Sequence, residues 1–363
     1  MSGWRRVVVD GSPVTPDGWQ VRGIVETFAD CVIATASAEP TDVQVVRFGF
    51  DGTVTPITEG QAVHGAVIGG PTTVIVRSGL ERVGTTVTVH PENGETSEIR
   101  VVAEPAPHEP TIHLLAAGEH LIRTAVLFPR DHQPGSHRLP VLMDPYGGPH
   151  AQRVLSSARA FLEAQWLADQ GFCVVVADGR GTPGRGHAWE RAIKDDFAGV
   201  TLDDQVTALQ TVAAAFPHDV DTSRVGITGW SYGGYLSALA VLKRPDVFHA
   251  AVAGAPVTEW RLYDTCYTER YLGDPRTSPE VYDANSLIPL APGLERPLML
   301  IHGLADDNVV AAHTLRLSSA LLAAGRAHTV LPLSGVTHMT PQEVVAENLE
   351  LLQVAFLKES LAV

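Results

Sequence analysis

The sequence has few cysteines and no long apolar run. Cys31, Cys173 and Cys266 are odd in number and far apart, with no CxxC pair and no histidine cluster at zinc-ligand spacing, which argues against a disulfide framework or a structural zinc site. No stretch reaches about 18 uninterrupted apolar residues, the length that a membrane-spanning helix needs. Residues 1–12 also lack the apolar core of a signal peptide. We therefore expect free thiols and a cytoplasmic location.

Basic residues are also scarce. The chain has 26 of them against 41 acidic residues, a formal charge of −15, which repels phosphate backbones and anionic lipid headgroups. Nucleic acid and membrane partners are accordingly not expected. What the chain has in quantity is apolar sequence, since 45% of its 363 residues are hydrophobic. This length and composition predict one large domain with a buried core and a smaller second domain.

Residues 1–115 consist of short β-rich runs separated by Gly, Asp and Asn turns, with no convincing helix. Shifted by 42 residues, CVIATAS (31–37) lies over TVIVRSG, and the Asp51-Gly52 turn lies over Asn93-Gly94. That period matches one four-stranded blade of a β-propeller. We predict about two blades, too few to close a propeller. An unrelated small β-sandwich is the alternative.

From residue 139 the pattern changes to alternating apolar runs and amphipathic stretches, which predicts βαβ units and a mostly parallel sheet. The fold class is therefore α/β, with residues 116–363 as the catalytic domain. The helical stretches include 202–216 and 310–325. The apolar runs suited to strands buried on both faces are 139–146, 172–178, 224–230, 249–255 and 298–303.

The motif Gly229-Trp230-Ser231-Tyr232-Gly233 lies between such a strand and a helical stretch, 232–244. GxSxG alone is common and often no more than a glycine-rich loop. In a strand-turn-helix context, however, it indicates the nucleophile elbow of an α/β-hydrolase, in which a sharp turn presents a bare serine to a histidine. We predict that Ser231 is the nucleophile. The helix N-terminus then offers the Tyr232 N–H as an oxyanion donor.

In this fold the acid and then the histidine follow the serine along the chain, each beyond a later strand. Strand 298–303 leads to Asp306 and Asp307, and the pattern alone does not choose between them. Run 330–335 leads to His338, the predicted base. His302 lies inside a predicted strand and is interpreted as buried structure.

Four segments together resemble the dipeptidyl peptidase IV branch of the prolyl oligopeptidase family of serine peptidases. The resemblance is close over 139–358 and loose over 20–138, and it implies a propeller that caps an α/β-hydrolase. The segments are DGRGTPGRG (178–186), GWSYGG (229–234), APVTEWRLYDTCYTERYLG (255–273) and HGLADDNV (302–309).

The resemblance also assigns roles to residues. It implies that Asp306 is the triad acid, 32 positions before His338, and that the hydroxyl of Tyr146 in DPYGGP is the second oxyanion donor. It implies that Asn308 holds a substrate carbonyl. A pocket for proline, or less well alanine, is implied at Tyr232, Val257, Trp260, Tyr263, Tyr267 and Val309. Rigid proline suits flat aromatic walls, although helical spacing of the last three aromatics also fits plain core packing, and Tyr146 could simply be an aromatic at a strand end.

The predicted function is a serine peptidase that hydrolyses peptide bonds after Pro or Ala through an acyl-enzyme, without metal or organic cofactor. The resemblance fails at one point: dipeptidyl peptidases clamp the substrate N-terminus with a glutamate pair, and residues 1–138 contain no Glu-Glu. The alternatives are an esterase or acylaminoacyl-type peptidase with the same triad and, in another class, a non-catalytic truncated relative that acts as a binding module. The sequence does not decide whether the protein forms a homodimer.

Overall fold

The computed structural model describes residues 3–363. Residues 1 and 2 lie outside the described residues. They belong to the predicted N-terminal domain and to the segment 1–12 in which no signal peptide is expected. The chain forms two compact units. One comprises the described chain as far as Ile112 with Val154–Glu163 and Pro183–Glu190, and the other comprises the rest. The sequence-based division at residues 115 and 116 stays a proposal.

Regular structure begins with a long series of strands, and helices alternate with strands after residue 157. The strands are β1 (Val8–Val9), β2 (Ser12–Pro13), β3 (Gln20–Thr27), β4 (Cys31–Ser37), β5 (Gln44–Gly49), β6 (Val54–Pro56), β7 (Ala62–Gly69), β8 (Thr72–Gly79), β9 (Thr86–Pro91), β10 (Ser97–Ile99), β11 (Ile112–Ala117), β12 (Ile122–Leu127), β13 (Leu139–Met143), β14 (Cys173–Asp178), β15 (Val220–Trp230), β16 (Ala250–Gly254), β17 (Leu298–Gly303) and β18 (Thr329–Leu333). The α-helices are α1 (Leu162–Ala168), α2 (His187–Glu190), α3 (Gly199–Ala215), α4 (Tyr232–Lys243), α5 (Thr265–Leu272), α6 (Pro279–Asn285), α7 (Ala312–Ala323) and α8 (Glu343–Leu361). Short 3-10 turns lie at Ala158–Phe161, Arg191–Ile193, Trp260–Leu262 and Ile288–Gly293.

The first unit contains two four-stranded antiparallel sheets, ordered β3-β4-β5-β6 and β10-β9-β8-β7. Their meander order is that of a propeller blade, and the two predicted turns fall where the 42-residue repeat requires, between β5 and β6 and between β9 and β10. Ile33, Val45 and Ile75 pack together between them. The prediction of a small all-β part that resembles propeller blades is confirmed.

The second unit is built on an eight-stranded sheet, ordered β11-β12-β14-β13-β15-β16-β17-β18. From β13 onward the neighbouring strands run parallel, and β12 pairs with β14 antiparallel. Every residue of β13, β14, β16 and β17 is buried, as expected for strands covered on both faces. The predicted α/β-hydrolase class is confirmed, and the carboxyl ends of β15, β17 and β18 meet at one edge.

None of the helices formed by residues 3–363 combines the length and apolar character needed to cross a bilayer.

Candidate active site

Ser231 occupies the turn between β15 and α4 in a strained conformation. Its φ of 60° and ψ of −114° lie outside the regions that L-residues normally adopt. The Ser231 N–H donates to the Gly254 carbonyl on the neighbouring strand at 2.8 Å, and its own carbonyl accepts the first helical hydrogen bond, from Tyr235. The turn is therefore tied to β16 on one side and to α4 on the other, which is the sharp strand-turn-helix geometry that the motif predicts.

Close packing explains two of the glycines around this turn. A Cβ on Gly229 would lie 2.6 Å from the Gly233 carbonyl carbon, because strand and helix cross there. A Cβ on Gly254 would lie 1.9 Å from the ring of Trp230. Larger residues at either position would have to displace the backbone or the indole beside Ser231.

Asp306 lies just after β17, and its side chain is fully buried. Its Oδ1 accepts hydrogen bonds from the N–H groups of Asn308 at 3.0 Å and Val309 at 2.9 Å. Its Oδ2 faces the Nδ1 of His338 at 2.8 Å. Asp307, the alternative acid, is exposed. The geometry therefore pairs Asp306 with the predicted base, as the resemblance implies.

His338 lies in the loop after β18, and its side chain is 17% exposed. Two contacts fix this loop: the Ala305 N–H donates to the Val336 carbonyl at 3.0 Å, and the Trp230 indole N–H donates to the His338 carbonyl at 2.7 Å. Because Nδ1 is turned to Asp306, Nε2 is the ring nitrogen that remains for a second contact. Within residues 3–363 no hydrogen bond yet joins Ser231 Oγ to this ring, and such contacts often tighten only when substrate binds.

Both predicted oxyanion donors lie beside the elbow. The Tyr232 N–H is in the first turn of α4, where backbone donors have no partner inside the helix. The Tyr146 ring lies 6.0 Å from the Tyr232 ring. Burial, with smaller contributions from Tyr263 and Tyr271, raises the pKa of Tyr146 to about 12. The phenol therefore stays protonated, and able to donate, at neutral pH.

The loop that carries Tyr146 is closed by an ion pair at its base. The Arg153 guanidinium forms a fork on Asp144, with Nη1–Oδ1 at 2.6 Å and Nη2–Oδ2 at 2.7 Å. The Arg153 N–H also lies within 3.1 Å of both carboxylate oxygens of Asp178. Both aspartates are buried, at 4% and 3% exposure. Sequence reasoning missed this clamp, although Asp144 begins the DPYGGP motif and Asp178 begins DGRGTPGRG.

The predicted pocket aromatics form one cluster. Trp260 is 1% exposed and stacks on Tyr267, with centroids 6.3 Å apart and 10° between planes. Tyr263 meets both rings edge-on, at 6.1 Å from Trp260 and 5.2 Å from Tyr267. The Tyr232 ring lies 5.8 Å from Trp260. Trp260, Tyr263 and Tyr267 do not share one helix, because Trp260 is in a 3-10 turn and Tyr267 is on α5. Their spacing in the sequence therefore does not put them on one helical face.

Three further rings belong to the cluster, and the sequence reasoning did not include them. Phe197 lies 4.5 Å from Trp260, Tyr271 lies 5.4 Å from Tyr267, and His150 lies 5.1 Å from Tyr267. The His150 Nε2 and the Tyr271 hydroxyl are 2.9 Å apart. Tyr271 stands within segment 255–273, which carries the family resemblance and was a usable signal. Phe197 offered none, because it comes from a distant part of the chain.

Of the remaining predicted residues, Asn308 contacts this cluster through Tyr263, and the two valines are buried. Val257 and Val309 are buried at 2% and 0% exposure. Asn308 is exposed, and its Oδ1 accepts a hydrogen bond from the Tyr263 hydroxyl at 3.2 Å. That bond leaves the amide NH2 of Asn308 to donate elsewhere. No group of three or more His, Cys, Asp or Glu side chains among residues 3–363 is arranged to hold a metal ion.

Comparison with known proteins finds similar chains. Residues 158–363 match the prolyl oligopeptidase family. Dipeptidyl peptidase 8 of Mus musculus is 40% identical over 238 residues, covering 64% of this chain and 26% of that protein. A probable dipeptidyl-aminopeptidase B of Sclerotinia sclerotiorum is 38% identical over 192 residues, covering 52% of this chain and 20% of that protein.

A solved structure is similar over nearly the whole chain. The dipeptidyl peptidase 4 of Porphyromonas gingivalis superposes with a TM-score of 0.86 and 27% identity, covering 97% of this chain and 52% of that one. The chain thus spans about a quarter of the mouse protein and about half of the bacterial one. These relatives are dipeptidyl peptidases, as in the branch that the sequence resembles. The chain belongs to the prolyl oligopeptidase family.

Proposed function

We propose that this chain is a serine peptidase of the dipeptidyl peptidase type, which hydrolyses peptide bonds after proline or alanine through an acyl-enzyme. One observation carries the proposal. The 2.8 Å contact between His338 Nδ1 and a fully buried Asp306 leaves Nε2 as the other ring nitrogen, and the Trp230 indole N–H on the His338 carbonyl ties this loop to the end of β15, where Ser231 has a strained backbone. A nucleophile, a base and an orienting acid in this relation serve acyl transfer.

In the proposed reaction, His338 Nε2 takes the proton of Ser231 Oγ while Oγ bonds to the substrate carbonyl carbon. The Tyr232 N–H and the Tyr146 hydroxyl donate to the oxygen that becomes negative. Collapse of this intermediate breaks the C–N bond, and the leaving amine receives the proton from Nε2. Water then attacks the acyl carbon with His338 again as base, the bond from that carbon to Ser231 Oγ breaks, and Oγ takes the proton back from Nε2 as the acid product leaves. Asp306 keeps the imidazole in the productive tautomer and stabilises its charged form.

The aromatic cluster supports a small, flat residue at the cleaved position. A proline ring on aromatic faces gains contact area and loses little conformational entropy. Asn308 can donate its amide to a carbonyl of the same peptide, since Tyr263 already occupies its Oδ1. Peptides are therefore the proposed substrates.

Fluorophosphonate labelling tests the proposal directly. We expect wild-type protein to be labelled covalently and Ser231→Ala to remain unlabelled, because the probe bonds only to an activated nucleophile. His338→Ala should label at least about 100-fold more slowly, in line with the contribution of general-base catalysis. If wild type reacted no faster than Ser231→Ala, the chain would instead be the non-catalytic relative.

A second candidate is an esterase or acylaminoacyl-type peptidase with the same triad. It is favoured by the lack of a Glu-Glu pair in residues 1–138, since that pair is the amine clamp of the dipeptidyl peptidases that the chain resembles. Hydrolysis of Gly-Pro-anilide and of its N-acetylated form separates the two. Cleavage of the free amine alone supports the dipeptidyl peptidase, and preference for the acetylated form supports the second candidate.

A further inference from the structure

His302 is a deeply buried polar residue next to the triad, and both of its ring nitrogens have partners. It lies on β17 and is 1% exposed. Its Nε2 is 2.6 Å from the Val309 carbonyl, and its Nδ1 is 2.7 Å from the Thr314 hydroxyl. A carbonyl can only accept, so Nε2 carries the proton and Nδ1 accepts from Thr314. The two contacts together select one neutral tautomer.

The same Nε2 lies 3.6 Å from Asp306 Oδ2, the oxygen that faces His338. Burial lowers the pKa of His302, and His338 lowers it further, against the raising effects of the Val309 carbonyl and Asp306. The other titratable group nearby is His313, whose pKa burial lowers to about 4. His302 therefore stays neutral and does not compete with His338 for the charge of Asp306.

The segment from Asp306 to Val309 is held at both ends by this arrangement. Asp306 Oδ1 accepts the Val309 N–H, and His302 donates to the carbonyl of the same residue. Asn308 lies between, with its N–H on the same carboxylate oxygen. Asp306, the substrate-binding amide of Asn308 and the buried Val309 are therefore held by the same set of hydrogen bonds.

We propose that His302 is a positioning residue, which as a neutral Nε2–H imidazole fixes Asp306, Asn308 and Val309 as one rigid segment. Loss of its donor should then misplace the acid and the substrate-binding amide together. This inference rests on the proposed peptidase function, and it differs from the sequence-based interpretation of His302 as plain buried structure.

Three substitutions test it on a chromogenic Gly-Pro substrate. His302→Phe keeps a ring but removes both polar contacts, so we expect kcat/KM to fall by about 100-fold, with kcat lowered and KM raised, because small displacements of the acid and of the substrate-binding amide are costly. His302→Gln can place an amide N–H where Nε2 was, and should recover activity to within about 10-fold of wild type. Thr314→Val removes only the hydroxyl and should lose about 3- to 10-fold.

His132→Phe is the matched control. This histidine is also buried, with a side chain 3% exposed, and also contacts a carboxylate, Asp219, at 2.7 Å, but it lies outside the site. It should lower the melting temperature while leaving kcat and KM within about twofold, since it removes packing and polar contacts far from the reacting atoms.

The outcomes are distinct. Rescue by His302→Gln over His302→Phe, at similar melting temperatures, supports positioning. Suppose instead that wild type is labelled by fluorophosphonate and that folded His302→Phe keeps wild-type kcat and KM. His302 is then structural only and the inference is wrong. If His302→Phe does not fold, unchanged kcat and KM in folded Thr314→Val lead to the same conclusion. If wild type is not labelled at all, the proposed function itself has failed.

Discussion

The strained backbone of Ser231 makes a prediction about stability as well as catalysis. Glycine adopts a φ of 60° with a ψ of −114° far more readily than alanine. Ser231→Gly should therefore be more stable than Ser231→Ala by about 1–2 kcal/mol, because only glycine relieves the strain. Urea unfolding of the two inactive variants measures this difference.

Ser237, further along α4, provides the comparison. It is a helix-interior position, where Gly is less favourable than Ala by about 1 kcal/mol. Ser237→Gly should therefore be less stable than Ser237→Ala. The same order at position 231 would contradict backbone strain at the nucleophile.

Tyr146 is predicted to act through its hydroxyl alone. Tyr146→Phe should lower kcat by about 100- to 1,000-fold with little change in KM, because the lost donor acts on the developing oxyanion. Since the Tyr146 pKa is raised to about 12, the phenol remains neutral below that value. Its ionisation should not reduce kcat in the wild-type pH profile until pH rises toward 12.

Tyr282→Phe controls for loss of a tyrosine hydroxyl. Tyr282 is 1% exposed and donates to the Gly273 carbonyl at 2.8 Å, away from the triad. We expect a stability loss of about 1 kcal/mol and an unchanged kcat. An equal fall in kcat for both variants would rule out a specific role for Tyr146.

At the scale of elements, the Arg153 clamp is expected to hold the Tyr146 loop. Arg153→Met would leave the Asp144 carboxylate buried without its partner, so unfolding should require about 3–5 kcal/mol less. Arg153→Lys keeps the charge but not the bidentate contact. Its free energy of unfolding should therefore lie between those of wild type and Arg153→Met. If the clamp positions Tyr146, kcat should fall in the same order, as measured by substrate kinetics at a temperature where both variants are folded.

Arg244 offers an ion pair of similar form at the surface. It contacts Asp246, whose side chain is 62% exposed, at 2.7 Å. Arg244→Met should change stability by less than about 1 kcal/mol, since solvent screens such pairs. Equal losses at Arg153 and Arg244 would show that burial of Asp144 has no special effect.

The central strands of the second unit can be predicted from sequence because they are apolar along most of their length, as in β14 and β17. The 42-residue repeat likewise locates the two four-stranded sheets. The short helices α5 and α6 do not follow from the apolar pattern. Their formation depends on helix caps and tertiary contacts, which the apolar pattern does not contain. In α5, for example, the Asp264 carboxylate accepts hydrogen bonds from the N–H groups of Cys266 and Tyr267.

The candidate site could be proposed from sequence where chemistry fixes residue type and order. Ser231 and His338 followed from elbow and strand order, but Asp306 needed the family resemblance, because its neighbour Asp307 fits the same spacing. The supports were invisible from sequence. Arg153 and Phe197 reach the site only through chain folding, and His302 shows its role only through distances to Asp306 and Val309.

At the scale of the whole molecule, a formal charge of −15 should favour substrates that carry a free amine. Raising the salt concentration from about 0.02 M to about 0.5 M shortens the screening length several-fold. We expect kcat/KM for Gly-Pro-anilide to fall at least about twofold over that range. Labelling by an uncharged fluorophosphonate should change little, and an equal fall for both reagents would point to a salt effect on the protein itself.

Trp230 gives the site a spectroscopic reporter. Its indole N–H is hydrogen-bonded to the carbonyl of His338, so the nitrogen-15 resonance of that one indole should move whenever the loop after β18 moves. Titration with a substrate-like inhibitor would then test whether this loop moves on binding. A movement should appear as a shift of that one NMR peak, and a loop that stays in place should leave the peak unchanged.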